Sequence, residues 1–244
     1  MLSNIRIVLV GTTHPGNIGA VARAMKNMCL TSLYLVRPKT FPSADATARA
    51  SGADDILAAA VVCDDLAEAL QNCHWVVGAS ARARTLAWPV FGARACAGQA
   101  VSEAVHHPVA IVFGREHSGL TNEELETCHA QLVIPGNPEY MSLNIAAAVQ
   151  IIAYEIHMAS RADHDAVGSG VVADEAELAT VEDMEMFYRH LESVMIETGF
   201  LDPARPKRLL PRLRRLYNRA RPDKNEINIL RGILTAVQQS GNGS

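Results

Sequence analysis

Five short apolar runs punctuate the first half of the chain: Ile5 to Val10, Leu33 to Val36, Trp75 to Ala79, Val109 to Phe113 and Gln131 to Ile134. Alanine-rich segments of helix length separate them. Short runs that are apolar throughout suit strands buried on both faces. Their alternation with helices predicts βαβ units and a mainly parallel α/β sheet. Helix starts are marked as well. Asp64-Asp65 precedes Leu66 to Leu70, Thr121 to Glu124 is a capping-box pattern, and Asp223 with Glu226 is another.

From Leu143 to Met158 apolar residues, among them Ile145, Ala146, Val149, Ile151, Ile152 and Tyr154, occupy almost every helical face. That pattern predicts a helix packed on several sides, one of which could meet a second subunit. The segment from Arg161 to Gly170 loses this periodicity and gains glycine and charge, as linkers do. The expected organisation is therefore a domain over 1–160, a linker over 161–176 and a helical extension over 177–244. Three stripes predict the extension's helices: Met184, Tyr188, Leu191, Met195; Leu209, Leu213, Leu216, Tyr217; and Ile227, Leu230, Leu234, Val237.

The formal net charge of −4 argues against a nucleic-acid partner, but the charge is segregated. Asp163 to Asp202 holds 11 acidic residues against Arg189 alone, whereas Arg205 to Arg231 holds 10 basic residues against Asp223 and Glu226. Arg208, Arg212, Arg215 and Arg219 recur at helical spacing and line one face, the pattern of a phosphate-tracking surface, although a solvated helix face is the blander reading. The five cysteines are odd in number and lack C-x-x-C spacing, which fits a reduced, cytoplasmic protein. No apolar stretch approaches bilayer length and none at the start resembles a signal sequence, so no membrane partner is expected.

Three blocks follow strand-like runs: Asn17 to Arg23, Phe113 to Leu120 and Asn137 to Asn144. Glycine, asparagine and serine after strand ends mark the places where open α/β sheets bind ligands. A P-loop would need Lys and Ser or Thr after Gly16, where Asn17 and Ile18 stand; no G-x-G-x-x-G or G-x-S-x-G is present; and no histidines are paired at i, i+4, so no metal role is assigned. The bland readings are simple: Asn17 caps the first helix, Arg23 is a surface arginine, block two is a glycine-rich turn and Ser142 is an N-cap.

In order and spacing, the blocks resemble the three motifs of the knotted RNA 2′-O-ribose methyltransferases of the SPOUT superfamily. The whole chain is most similar to the bacterial branch that modifies the pyrimidine at position 32 of tRNA. Ser80-Ala81-Arg82-Ala83-Arg84 with Trp88-Pro89, Leu120 to Leu125, and Asn228 to Leu234 carry the narrower likeness. Gly11, Met141 and Phe91-Gly92-Ala93-Arg94 depart from the family's pattern.

The resemblance implies a deep C-terminal trefoil knot in the sheet, which periodicity does not reveal and which the general rule against knots would exclude. It implies S-adenosylmethionine as cofactor, held by Ala79, Ser80, Ala81, Gly114, Ile134, Met141, Ser142 and Leu143. It implies a homodimer in which Arg23 approaches the cofactor of the partner subunit, with Asn17, Glu116, Ser142 and Asn144 completing a catalytic polar shell. Arg82, Arg84 and the Arg208, Arg212, Arg215, Arg219 face are expected to bind tRNA rather than DNA. Alternatives from the same sequence are methylation of another RNA site or a base, and a knotted RNA-binding protein without catalysis.

Overall fold

In the computed structural model of the chain, whose described residues are 1–80, 89–165 and 177–241, all five apolar runs are strands. They are β1 (Ile5–Val10), β2 (Ser32–Val36), β4 (Trp75–Ala79), β6 (Val109–Phe113) and β7 (Ala130–Val133). Two three-residue strands missing from the sequence reading, β3 (Val61–Cys63) and β5 (Val90–Gly92), form the sheet's edges. Only one of their six residues, Cys63, is buried, so they lack the apolar continuity that marks a central strand.

The seven strands form one sheet in the order β3-β2-β1-β6-β4-β7-β5, and every pairing is parallel. Ile7 of β1 lies between Leu33 of β2 and Ile111 of β6, at the middle of a core that buries all five residues of β6. Because the strands are parallel, all their carboxyl ends lie along one rim. The loops leaving β1, β6 and β7 therefore gather there beside the end of β4, and these loops contain or adjoin the three sequence blocks.

The helices of this unit are α1 (Pro15–Asn27), α2 (Ala44–Ala50), α3 (Asp54–Ala58), α4 (Leu66–Ala69), α5 (Ala93–Ala104), α6 (Asn122–Glu126) and α7 (Ile145–Asp165). At Gly19 a Cβ would lie 2.0 Å from the carbonyl oxygen of Ala46, so glycine allows α1 and α2 to meet backbone to backbone. Helix α7 packs on α1 and α5 and buries Ile145, Val149, Ile152, Ala153 and Ile156. Its Tyr154 and Met158 remain 48% and 44% exposed, so within one chain it is not covered all round. The helix also continues past Arg161, where the linker was expected to begin: no glycine or proline interrupts it before Gly168.

The chain divides into two compact units, Met1–Val171 and Val172–Ser244. In the second, α8 (Val181–Glu197), α9 (Leu209–Ala220) and α10 (Lys224–Gly241) enclose Met184, Phe187, Tyr188 and Ile227. Phe187 meets the Tyr217 ring edge-on at 4.8 Å. The Asp223–Glu226 signal is a reciprocal cap, since each carboxylate accepts the other residue's N–H. Leu216 and Val237, expected in the buried stripes, stand 47% and 37% exposed because three helices cover only one side of each other.

Candidate active site at the carboxyl ends of the strands

Gly114 determines the shape of the loop after β6. A Cβ there would lie 2.1 Å from the carbonyl carbon of Gly119 and 2.2 Å from the nitrogen of Leu120, so the loop folds back on itself only because position 114 has no side chain. Arg115 and Gly119 exchange backbone hydrogen bonds (3.2 and 2.9 Å), and Gly119 takes φ +67°. Thr121 and Glu124 then cap α6 reciprocally. Glu124 also receives both terminal nitrogens of Arg115, at 3.0 and 2.9 Å. Burial works to raise the Glu124 pKa, but the Arg115 hydrogen bonds and the Thr121 N–H outweigh it and lower it.

The next residue, Glu116, reaches back to the loop after β1. It accepts the Thr13 N–H on both oxygens (3.1 Å each), the Thr13 hydroxyl (3.0 Å), the His14 N–H (3.2 Å) and the Asn17 side-chain amide (3.1 Å). Burial would raise the pKa of this carboxyl, yet its own backbone N–H and the donors from Asn17, His14 and Thr13 bring it down to about 2. Asn17 Oδ1 in turn accepts from Asn144 Nδ2 at 3.1 Å. Through Asn17, one carboxylate thus links elements from all three sequence blocks, the first of which lies about a hundred residues or more from the other two.

Two capping assignments are corrected. Asn17 is not the N-cap of α1: Pro15, with its fixed φ, takes the first helical position and His14 becomes the cap, which leaves the Asn17 amide free to join the cluster. Ser142 is not the N-cap of α7 either. Asn144 takes that place, its Oδ1 accepting the Ala146 N–H (2.9 Å) and its carbonyl the Ala148 N–H (2.9 Å).

Between these loops lies a cavity of about 670 Å³. Phe113, Leu120, Leu132, Ile134, Ile145 and Ala148 give it apolar walls. Of the expected cofactor residues, Ala79, Ser80, Gly114, Ile134, Met141, Ser142 and Leu143 line it, as do Glu116 and Asn144. Asn17 reaches it through its hydrogen bonds to those two residues. Arg23 is exposed on α1 and does not line the cavity of its own chain. Ala81, Arg82 and Arg84 lie outside the described residues.

In the second unit, Arg208, Arg212 and Arg219 are exposed and Arg215 is partly so. Arg214, between them in sequence, is engaged differently. It pairs with Glu185 through both nitrogens and covers the Tyr188 ring at 4.4 Å, so it belongs to the packing of the unit.

Several contributors were not singled out from sequence. Phe113 and Leu132 line the cavity from strand ends, a position that their place in the apolar runs could have signalled. Thr13, Arg115 and Tyr140 carried no comparable signal; their roles depend on the folded loops.

A parallel sheet with a glycine-shaped, mostly apolar cavity at its carboxyl rim defines an α/β protein of the ligand-binding class. The chain belongs to the SpoU rRNA methylase family, whose model matches residues 4–154. A second model, the C-terminal domain of the tRNA methyltransferase TrmJ, matches residues 182–244. The chain is 53% identical over 242 residues to the tRNA (cytidine/uridine-2′-O-)-methyltransferase TrmJ of Cronobacter sakazakii, covering 99% of each. Among solved structures it is similar to TrmJ from Z. mobilis ZM4 (TM-score 0.83, 32% identity, 96% and 98% covered). A probable methylase family protein from Haemophilus influenzae Rd KW20 is likewise similar (TM-score 0.67, 42% identity, 98% of each covered).

Proposed function

We propose that this chain methylates the ribose 2′-hydroxyl of cytidine or uridine in tRNA, at position 32 of the anticodon loop, with S-adenosylmethionine as methyl donor. The observation that carries the reading is the Glu116 cluster. It holds all three blocks around one cavity, in a chain similar over its full length to tRNA 2′-O-methyltransferases. The position in tRNA rests on the family resemblance.

The cavity suits this donor: Phe113, Leu132 and Ile134 offer apolar surface to a purine, while Ser80, Ser142 and the backbone around Gly114 offer polar contacts. When bound, the donor supplies a sulfonium-linked methyl group. A ribose hydroxyl is a weak nucleophile, so the protein's part is to position it, exclude water and meet developing charge. Asn17, Glu116, Ser142 and Asn144 form the ordered polar shell. Arg23 is too basic for a general base; its planar fork grips the ribose oxygen and the adjacent phosphate, which takes the proton.

The family resemblance assigns Arg23 to the cavity of a second copy in a cytoplasmic homodimer, and the exposure of Arg23 outside the cavity of its own chain supports that reading. The uncovered Tyr154 and Met158 on α7 are apolar surface for that contact. The acceptor is tRNA and not DNA, which lacks a 2′-hydroxyl. The domain expected over 1–160, whose last helix runs on to Asp165, is the catalytic, knotted one, and 177–244 is the extension that binds tRNA through Arg208, Arg212, Arg215 and Arg219, with Arg82 and Arg84 assisting. Methyl transfer to unmodified tRNA followed by nucleoside mass spectrometry tests the reading. The expected product is 2′-O-methylcytidine or 2′-O-methyluridine at position 32, and a base-methylated product or none would overturn it.

A further inference from the structure

The loop after β7 displays an aromatic ring in a place where burial cannot account for it. Tyr140 is 79% exposed, more than any other large apolar or aromatic side chain among the described residues, and it stands at the wall of the cavity. Its backbone is firmly held. The Tyr140 N–H donates to the Asn137 carbonyl at 2.9 Å, and the Glu139 N–H donates to the Asn137 side chain at 3.0 Å. Asn at the first position and Pro138 at the second are the residues that preset such a turn. Leaving a ring in water is unfavourable, and holding its backbone in a turn lowers the entropy lost when something covers it.

The chemistry of the cavity says what the cover is. A ribose whose 2′-hydroxyl enters the site brings its own base to the mouth, and unstacked bases are held on aromatic faces. Of the residues that follow Tyr140 in this loop and line the cavity, Met141, Ser142 and Leu143, none offers a flat surface.

We propose that the Tyr140 ring is the stacking surface for the pyrimidine of the target nucleotide, so that this residue positions the ribose through its base. The inference rests on the proposed ribose methylation and adds a residue to it. Stacking on a π-face tolerates either pyrimidine, which is what an enzyme accepting both cytidine and uridine requires.

The test compares wild type, Tyr140→Ala and Tyr140→Phe on unmodified tRNA and on a tRNA whose target nucleoside is abasic but keeps its 2′-hydroxyl. With ordinary tRNA, Tyr140→Ala should raise apparent KM about tenfold or more, while Tyr140→Phe stays near wild type, since the ring and not the hydroxyl stacks. On the abasic tRNA, wild type should lose as much as the alanine variant did, and the two proteins should become equal. S-adenosylmethionine affinity by calorimetry, dimer mass and melting temperature should not change. Wild-type behaviour of Tyr140→Ala, an equal loss on both substrates, weakened cofactor binding or a weakened dimer would each overturn the proposal. Absence of methylation by wild type itself would remove the underlying reaction, and this proposal with it.

Discussion

The two units of the chain treat their polar side chains in opposite ways. Around the cavity, Glu116, Asn17, Asn144, Arg115 and Glu124 are held by partners within the chain. On α9, Arg214 is held by Glu185 and Tyr188, while Arg208, Arg212 and Arg219 stand out to solvent. The first arrangement is what positioning of a small reacting group demands, because every satisfied hydrogen bond removes a way for the site to deform. The second is what a long polyanion demands, since phosphates are tracked by free cations whose spacing matters more than their exact posture. Arg23 belongs in character with the second group although it sits in the first unit.

The contrast breaks most readily at Arg23. Arg23→Ala should reduce methyl transfer by about 10²–10³-fold or more, the scale of losing one transition-state donor, with S-adenosylmethionine affinity nearly unchanged. Single-turnover rates beside calorimetry check both halves, and near-wild-type turnover would take Arg23 out of the mechanism.

Glu116 is the next test. Glu116→Gln keeps the shape but removes the charge that holds five hydrogen bonds, and should lower kcat by about 10- to 100-fold through misplacement of Asn17 and Asn144. The same variant carries a pH signature. The folded-state pKa of about 2 lies below the ordinary 4.5, so the stabilisation is complete above the ordinary value and is lost as pH falls from there toward about 2. Melting experiments across that window should show a steeper loss for wild type than for Glu116→Gln.

On the basic helix the expected effect is smaller and of a different kind. Arg212→Glu with Arg215→Glu should weaken tRNA binding and flatten the log–log dependence on salt by about 1.5, two phosphate contacts' worth, without altering cofactor affinity. Equal affinities and slopes would leave α9 as a packing element. In stability the smallest expected change is that of Asn144→Ala, which removes the cap of α7 and should cost about 1 kcal/mol in chemical denaturation, beside the loss of kcat that its place in the polar shell entails.

The central strands of the sheet were legible because burial on both faces demands uninterrupted apolar residues, as in Val109 to Phe113. The edge strands were not, since Val61, Val62 and Val90 face solvent and three residues show no period. Glycine, asparagine and serine drew attention to loops that line the cavity, but the capping duties of Asn17 and Ser142 were misread. A capping residue is identified by which N–H it meets, and a shift of the helix start by two or three residues reassigns it. The link from Glu116 to Thr13 spans 103 positions and follows from β1 and β6 being neighbours, which no local pattern encodes. Charge segregation drew attention to α9 and helical spacing set Arg208, Arg212, Arg215 and Arg219 apart from Arg214, but the Glu185 and Tyr188 partners of Arg214 show only once the helices pack.

The claim that the cavity of one chain is completed by Arg23 of a second copy is tested most directly by complementation. Arg23→Ala is mixed with Ile134→Trp, which fills the cavity, after each has been shown to be inactive alone. Random exchange between equal amounts should restore about a quarter of wild-type activity, because half the dimers then contain one intact cavity facing one intact arginine. No recovery, with subunit exchange demonstrated in the same sample by mass spectrometry, would contradict the account and confine the site to a single chain.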